Sequence, residues 1–151
     1  MKQPAVFLAF PIIAALAGTQ GRLIVKRTNP PALSKPTGYT HVVDVSGGRT
    51  LYISGQVALD RAGAVVGKAD LKVQTTQVFE NLKAALAASR ASFDNVVKIT
   101  VFMTDVSDIE AFREIRNRYF TGGLPASTLV QVVRLARPEL MIEIEAVAVV
   151  E

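Results

Sequence analysis

The chain has no cysteine, which excludes disulfides, thiolate nucleophiles and cysteine-ligated zinc. Its one histidine, His41, leaves too little material for the usual metal clusters and for most serine–histidine arrangements. No low-complexity tract, internal repeat or long linker interrupts the 151 residues, a length that fits one domain with a substantial core. Continuous basic runs are missing too, despite a formal net charge of +4. The cluster Arg113, Arg116 and Arg118 is interleaved with Glu110 and Glu114. A phosphate backbone favours an uninterrupted basic stripe, so the charge reads as a solvated surface, and no specific nucleic-acid partner is expected.

One long apolar run is present, at the start: "MKQPAVFLAFPIIAALAGTQG". A single Lys precedes apolar residues 5–17, and Ala15-Leu16-Ala17 offers the small-x-small pattern of a signal-peptidase site. The run is too short to span a bilayer. Residues 1–17 therefore read as a candidate signal peptide, 18–27 as an N-terminal extension and 28–151 as the folded domain. Removal of the leader would place the protein in the periplasm or outside the cell, free of the membrane; retention would leave it in the cytoplasm. Pro11 and the lone Lys speak for the alternatives, an added apolar strand or helix or a misplaced start codon.

Periodicity organises the remainder. Residues 40–45 and 50–57 are strand-like and are joined by Ser46-Gly47-Gly48-Arg49, a good hairpin connection. A short strand is expected at 64–66. Leu71, Thr75, Val78, Leu82, Ala85 and Ser89 recur at helical spacing behind Asp70, whose carboxylate suits a cap. Residues 96–103, "VVKITVFM", form a strand rich in β-branched side chains. Ser107 and Glu110 have the spacing of a capping box for a second helix with a Phe112, Ile115 and Tyr119 stripe. Gly122-Gly123 and Pro125 end that helix. Strands at 128–134 and 141–149 close the chain.

The order β-β-(β)-α-β-α-β-β predicts an α+β fold with both helices on one face of a mixed sheet. The terminal "MIEIEAVAVV" alternates. Ile142, Ile144, Ala146, Ala148 and Val150 share an apolar face, while Glu143 and Glu145 share the other with Val147 and Val149. Two helices cannot cover that second face, so something outside this fold is expected to cover it, a first hint of an oligomer.

Several stretches together resemble the RidA/YjgF family, also called L-PSP endoribonuclease-like: "TGYTHVVDVSGGRTLYISGQVALD", "VVKITVFMTDVSDIEAF", "PASTLVQVVRLARPEL" and "MIEIEAVAV". The resemblance implies a chorismate-mutase-like α+β fold assembled as a homotrimer with a cleft between neighbouring subunits. It also implies hydrolysis of reactive enamines and imines, such as 2-aminoacrylate, to a 2-keto acid and ammonia, without metal or cofactor. Carried over residue by residue, Tyr39, Ser54 and Glu143 take catalytic places, Glu143 beside the attacking water, and Gly55 of "SGQ" a substrate-binding one. Ser127 and Thr128 occupy the substrate-binding corner. There the match fails: "PAST" stands where active members have "PARS", so Ser127 replaces a guanidinium. Leu129 replaces a common cysteine, and Arg113 stands where an asparagine is often found.

The replaced arginine matters because a small imino acid is held best by its carboxylate. A guanidinium grips it through charge-assisted hydrogen bonds worth roughly 1.5–3 kcal/mol each, about ten- to a hundredfold in affinity. Arg134 lies an odd number of residues from Ser127 and would point oppositely on a regular strand. Arg113, Arg116 or Arg118 could reach the cleft, although helix arginines are more often surface residues. Hydrolysis of 2-aminoacrylate weakly or not at all, with activity gained on Ser127→Arg, is the outcome this reading favours.

Each site residue also has a structural reading. Glu143 could have a raised pKa beside apolar groups and deprotonate water, or could simply bond backbone groups at a subunit contact. Glu145 is expected to pair with a basic neighbour. Tyr39 could be a packing residue with a satisfied hydroxyl, and Ser54-Gly55 a point of close backbone approach. His41 reads as a partly exposed neutral imidazole. Two further functions stand beside the deaminase: a non-catalytic trimeric metabolite-binding or protein-interaction module, and, with least support, a ribonuclease.

Overall fold

A computed structural model describes residues 21–151; the candidate leader, residues 1–17, lies outside the described residues. The elements are β1 (Ile24–Thr28), β2 (Val42–Ser46), β3 (Arg49–Val57), α1 (Leu71–Ala88), β4 (Val96–Met103), α2 (Ile109–Tyr119), β5 (Ala126–Gln131) and β6 (Ile142–Val150). The expected order of strands and helices holds, in a mixed sheet of order β3-β6-β4-β5 with β4 and β5 parallel.

Two of the leading strands are arranged differently from the sequence expectation. Residues 64–66 contribute only a bridge, Leu59 to Val65. The third leading strand is instead β1, whose register with β2 runs from Ile24–Ser46 to Thr28–Val42 in a separate two-stranded sheet. The glycine link between β2 and β3 is therefore a passage between sheets and not a paired hairpin. Gly47 and Gly48 both have positive φ, and a side chain on Gly48 would meet the Val150 carbonyl at 2.7 Å and Val149 at 2.9 Å. Packing by this link buries Val149, which sequence periodicity had left on the uncovered face.

Hydrophobic alternation builds the core. Ile99, Val101 and Met103 from β4 and Ile142, Ile144, Ala146 and Ala148 from β6 face the helices and are buried. Phe79, Leu82 and Leu86 from α1 and Phe112 and Ile115 from α2 close over them. Asp70 caps α1 as expected, accepting from the Val73 amide at 3.0 Å. The cap of α2 is Asp108, whose carboxylate accepts from the Ala111 amide; the Ser107 capping box does not form. Ser107 donates its amide to Asp105 at 2.8 Å instead, in a turn that delays the helix by one residue.

Candidate functional site

Sheet register determines which site residues share a surface. On the face away from the helices, Glu143 lies opposite Phe102, Glu145 opposite Thr100, and Val147 between Tyr52 and Lys98. Thr128 and Val130 extend the same face onto β5. Tyr52 is 84% exposed there and Val130 39%. The mixture of apolar and charged groups matches the terminal strand's second face as read from sequence, apart from Val149.

Ser54 and Gly55 stand where the β3–β6 register slips, between Ile53 and Gln56. The slip is a bulge, which re-aims side chains on a strand. Ser54 is exposed beside a depression of about 450 Å³ that also takes in Tyr52, Lys98, Thr100 and Glu145. Gly55 carries the Glu143 carboxylate against its backbone, and any β-carbon there would collide with Glu143 Oε1. Among the described residues neither Glu143 nor Glu145 has an ion-pair partner, so Glu145 departs from the pairing expected of it. Lys98 donates to Thr128 Oγ1 at 2.5 Å, which fixes Thr128 on this face.

Ser127 points the other way. Its Cα pairs with Ile99, a core residue of β4, so it looks toward α2. A second cavity of about 220 Å³ gathers it with Tyr39, Arg113 and Arg116. Tyr39 reaches this place because the next residue is pinned along β5. The Thr40 amide donates to the Pro125 carbonyl at 2.9 Å and its hydroxyl to the Leu124 carbonyl at 2.6 Å. His41 packs edge-on against Tyr39 with centroids 5.1 Å apart, its Nε2 2.8 Å from the Ser34 carbonyl. The imidazole thus fixes a loop.

The helix arginines have three different fates. Arg118 is exposed and paired with Glu114; Arg113 lines the cavity and is paired with Glu110. Arg116 is only 5% exposed, its guanidinium set over the Phe112 ring at 5.6 Å. Gly38 has φ +88, and a side chain there would run into that guanidinium. Burial first, then the neighbouring Arg113 charge, lowers the Arg116 pKa, with Glu110 opposing. Sequence reading names Arg116 only beside Arg113 and Arg118 as able to reach the cleft; its place four residues after Phe112, on the buried stripe, is what sets it apart. Arg134 is exposed beyond the end of β5, so the strand-parity reasoning does not apply to it.

The site residues therefore form two groups. Tyr39, Ser127 and Arg113 meet at the β5 edge, whereas Ser54, Gly55, Glu143 and Thr128 occupy the open face. Ser54 is on β3, at one edge of the four-stranded sheet, and Tyr39 lies outside β5, beyond the opposite edge, roughly 19 Å apart at the usual strand spacing. One protomer does not bring Tyr39, Ser54 and Glu143 together. No three His, Cys, Asp or Glu side chains among the described residues are placed to hold a metal ion, and none of their helices is long and apolar enough to cross a membrane.

This α+β fold with a bulged Ser-Gly strand and a carboxylate laid across it has known relatives. The family profile Endoribonuclease L-PSP matches residues 30–150. Protein DfrA of Myxococcus xanthus is 43% identical over 74% of this chain and 84% of its own length. The 2-iminobutanoate/2-iminopropanoate deaminase of Mus musculus is 39% identical over 85% of this chain and 91% of its own. Among solved structures, the Rid-family protein YyfB of Yersinia pestis superposes with a TM-score of 0.78 at 36% identity, covering 83% of this chain and 98% of its own. The chain belongs to the RidA/YjgF, L-PSP endoribonuclease-like family.

Proposed function

We propose that this protein hydrolyses small enamines or imines to carbonyl compounds and ammonia in a cleft between copies of the chain, with a substrate preference altered by Ser127. The observation that carries the reading is the Glu143 carboxylate, without an ion-pair partner among the described residues and held against Gly55 at the edge of a sheet face that those residues leave open. The deaminase named for the mouse relative supports it.

The chemistry asked of the residues is modest. Glu143 accepts a proton from water as the oxygen adds to the imine carbon, and the C=N π electrons become a lone pair on nitrogen. The proton returns to nitrogen, giving a carbinolamine. Its hydroxyl proton then passes through Glu143 to the amine, the C–N bond breaks with its electron pair leaving on ammonia, and the oxygen lone pair forms the carbonyl. Ser54 and the Gly55 backbone position the adduct, and Tyr39 with Ser127 approaches from a neighbouring copy. Positioned general bases contribute on the order of a hundred- to ten-thousandfold.

The test is imine disappearance, followed for acidic and neutral imines generated in situ, with wild type and Glu143→Gln. Acceleration by wild type and a loss of about a hundredfold in the variant support the proposal. Wild type that accelerates no imine yet binds 2-oxo acids would replace it with the metabolite-binding reading. Export belongs to the same proposal on the strength of residues 1–17; the intact mass of protein from a periplasmic extract, lacking those residues, would support it, and full-length protein would overturn it.

A further inference from the structure

We propose that Arg116 is the anion-binding residue of this chain, its guanidinium beside Ser127 taking the carboxylate of a small 2-imino or 2-oxo acid. This assignment rests on the imine-hydrolase reading and names how the substrate is held. Fully buried arginines are rare unless paired, and Arg116 is 5% exposed without a carboxylate partner among the described residues. Among the described residues its side-chain hydrogen bonds run from Nε and Nη2 to the Asn117 side-chain oxygen, at 3.2 and 2.8 Å. A neutral amide leaves the cationic charge unmatched, and Nη1 has no acceptor among the described residues.

The cavity around it is built for a small anion. It contains no acidic side chain, and Tyr39 and Ser127 supply hydroxyls. Ile109, Phe112 and Leu129 give an apolar wall suited to a short alkyl tail. Arg113 contributes field more than contact, since Glu110 already pairs with it. The planar fork of a guanidinium matches a carboxylate through two parallel bonds. Burial of the unmatched charge also explains why the ligand should be an anion: its arrival neutralises the guanidinium in a poorly solvated place.

The experiment titrates full-length wild type, Arg116→Gln, Arg116→Lys and Arg118→Gln with pyruvate, 2-oxobutanoate and inorganic phosphate by calorimetry. It is run beside imine hydrolysis. Arg116→Gln should lose roughly ten- to a hundredfold in 2-oxo acid affinity, Arg116→Lys less, and Arg118→Gln nothing. For acidic imines the Arg116→Gln loss should fall on KM and exceed the loss for neutral imines. If Arg116→Gln does not fold, the wild-type guanidinium resonance of Arg116 is followed instead, and a saturable shift with pyruvate supports the assignment. Unchanged affinity in Arg116→Gln, an unmoved resonance, or phosphate binding tighter than pyruvate would overturn it. Imine turnover with unaltered binding in Arg116→Gln would sink this assignment alone. Arg116-dependent binding without turnover of any imine would sink the hydrolase reading alone. Ser127→Arg should not raise activity, because it crowds a like charge against Arg116; a gain would overturn the assignment in favour of a handle missing from the strand.

Discussion

Two glycines carry opposite kinds of constraint, and their substitutions separate chemistry from stability. At Gly55 an added methyl meets the far end of the flexible Glu143 side chain, which can swing away. Gly55→Ala should lower imine turnover at least tenfold while costing no more than about 1 kcal/mol of stability. At Gly38 the backbone is left-handed and the obstacle is the buried Arg116 guanidinium. Gly38→Ala should cost about 1–3 kcal/mol, visible as a lower urea midpoint. Equal midpoints for the two variants would contradict this division. Of these positions the resemblance pointed to Gly55, because "SGQ" is a motif; Gly38 was hidden, and Arg116 was one of three helix arginines that sequence alone could not tell apart. A buried arginine is legible only through helical spacing from Phe112, and that spacing does not reveal what the opposite wall lacks.

Helix ends and helix packing give predictions at the level of elements. Sequence spacing favoured Ser107 as the cap of α2, but Asp108 performs it. Asp108→Ala should cost about 1 kcal/mol and Ser107→Ala less than about 0.5 kcal/mol; a larger loss for Ser107→Ala in denaturant titration would restore the capping box. Tyr119 of α2 stacks on Phe79 of α1 with centroids 4.8 Å apart and donates to Glu80 at 2.8 Å. Burial, followed by the Glu80 hydrogen bond and charge, pushes its phenol up from 10.0 to about 12. A group with a raised folded pKa supports the fold fully below its unfolded pKa, and that support is lost as pH climbs through the folded value. Wild-type stability should therefore fall between pH 10.0 and about 12, and Tyr119→Phe should flatten that fall. An identical alkaline slope in both proteins would show that the ring ionises equally when folded and unfolded.

Strand pairing was less legible than strand position. Alternation located β3, β4 and β6 to within a residue or two, because β4 and β6 each have one buried face and β3 packs Leu51, Ile53 and Val57 against the core. It could not show that β2 pairs with β1, since alternation tells which face a residue takes and not which strand lies beside it, and neither strand of that ribbon has a buried residue. Two glycines between apolar runs usually mark a hairpin; here they thread past Val149 and Val150 from one sheet to another.

For the whole molecule, the open sheet face is the decisive feature. Tyr52, Val147 and Val130 lie on it beside Lys98 and Glu145, a composition that fits burial against another copy with a wet margin. Sedimentation should show an assembly at micromolar concentration, and Tyr52→Glu should dissociate it without unfolding the protomer; a monomeric wild type would remove the shared cleft. The sequence resemblance implies a homotrimer, and the separation of Tyr39 from Ser54 across the sheet is a physical reason to test for one.

Subunit complementation addresses the shared cleft most directly. Glu143→Gln and Tyr39→Phe, each depleted in imine turnover, are mixed in equal amounts and allowed to exchange subunits. If every site takes Tyr39 from one copy and Glu143 from its neighbour, random reassembly restores roughly a quarter of the wild-type sites, and activity should rise toward that level. Activity that stays at the average of the two parent variants after proven exchange would show that each copy works alone, and would contradict the account.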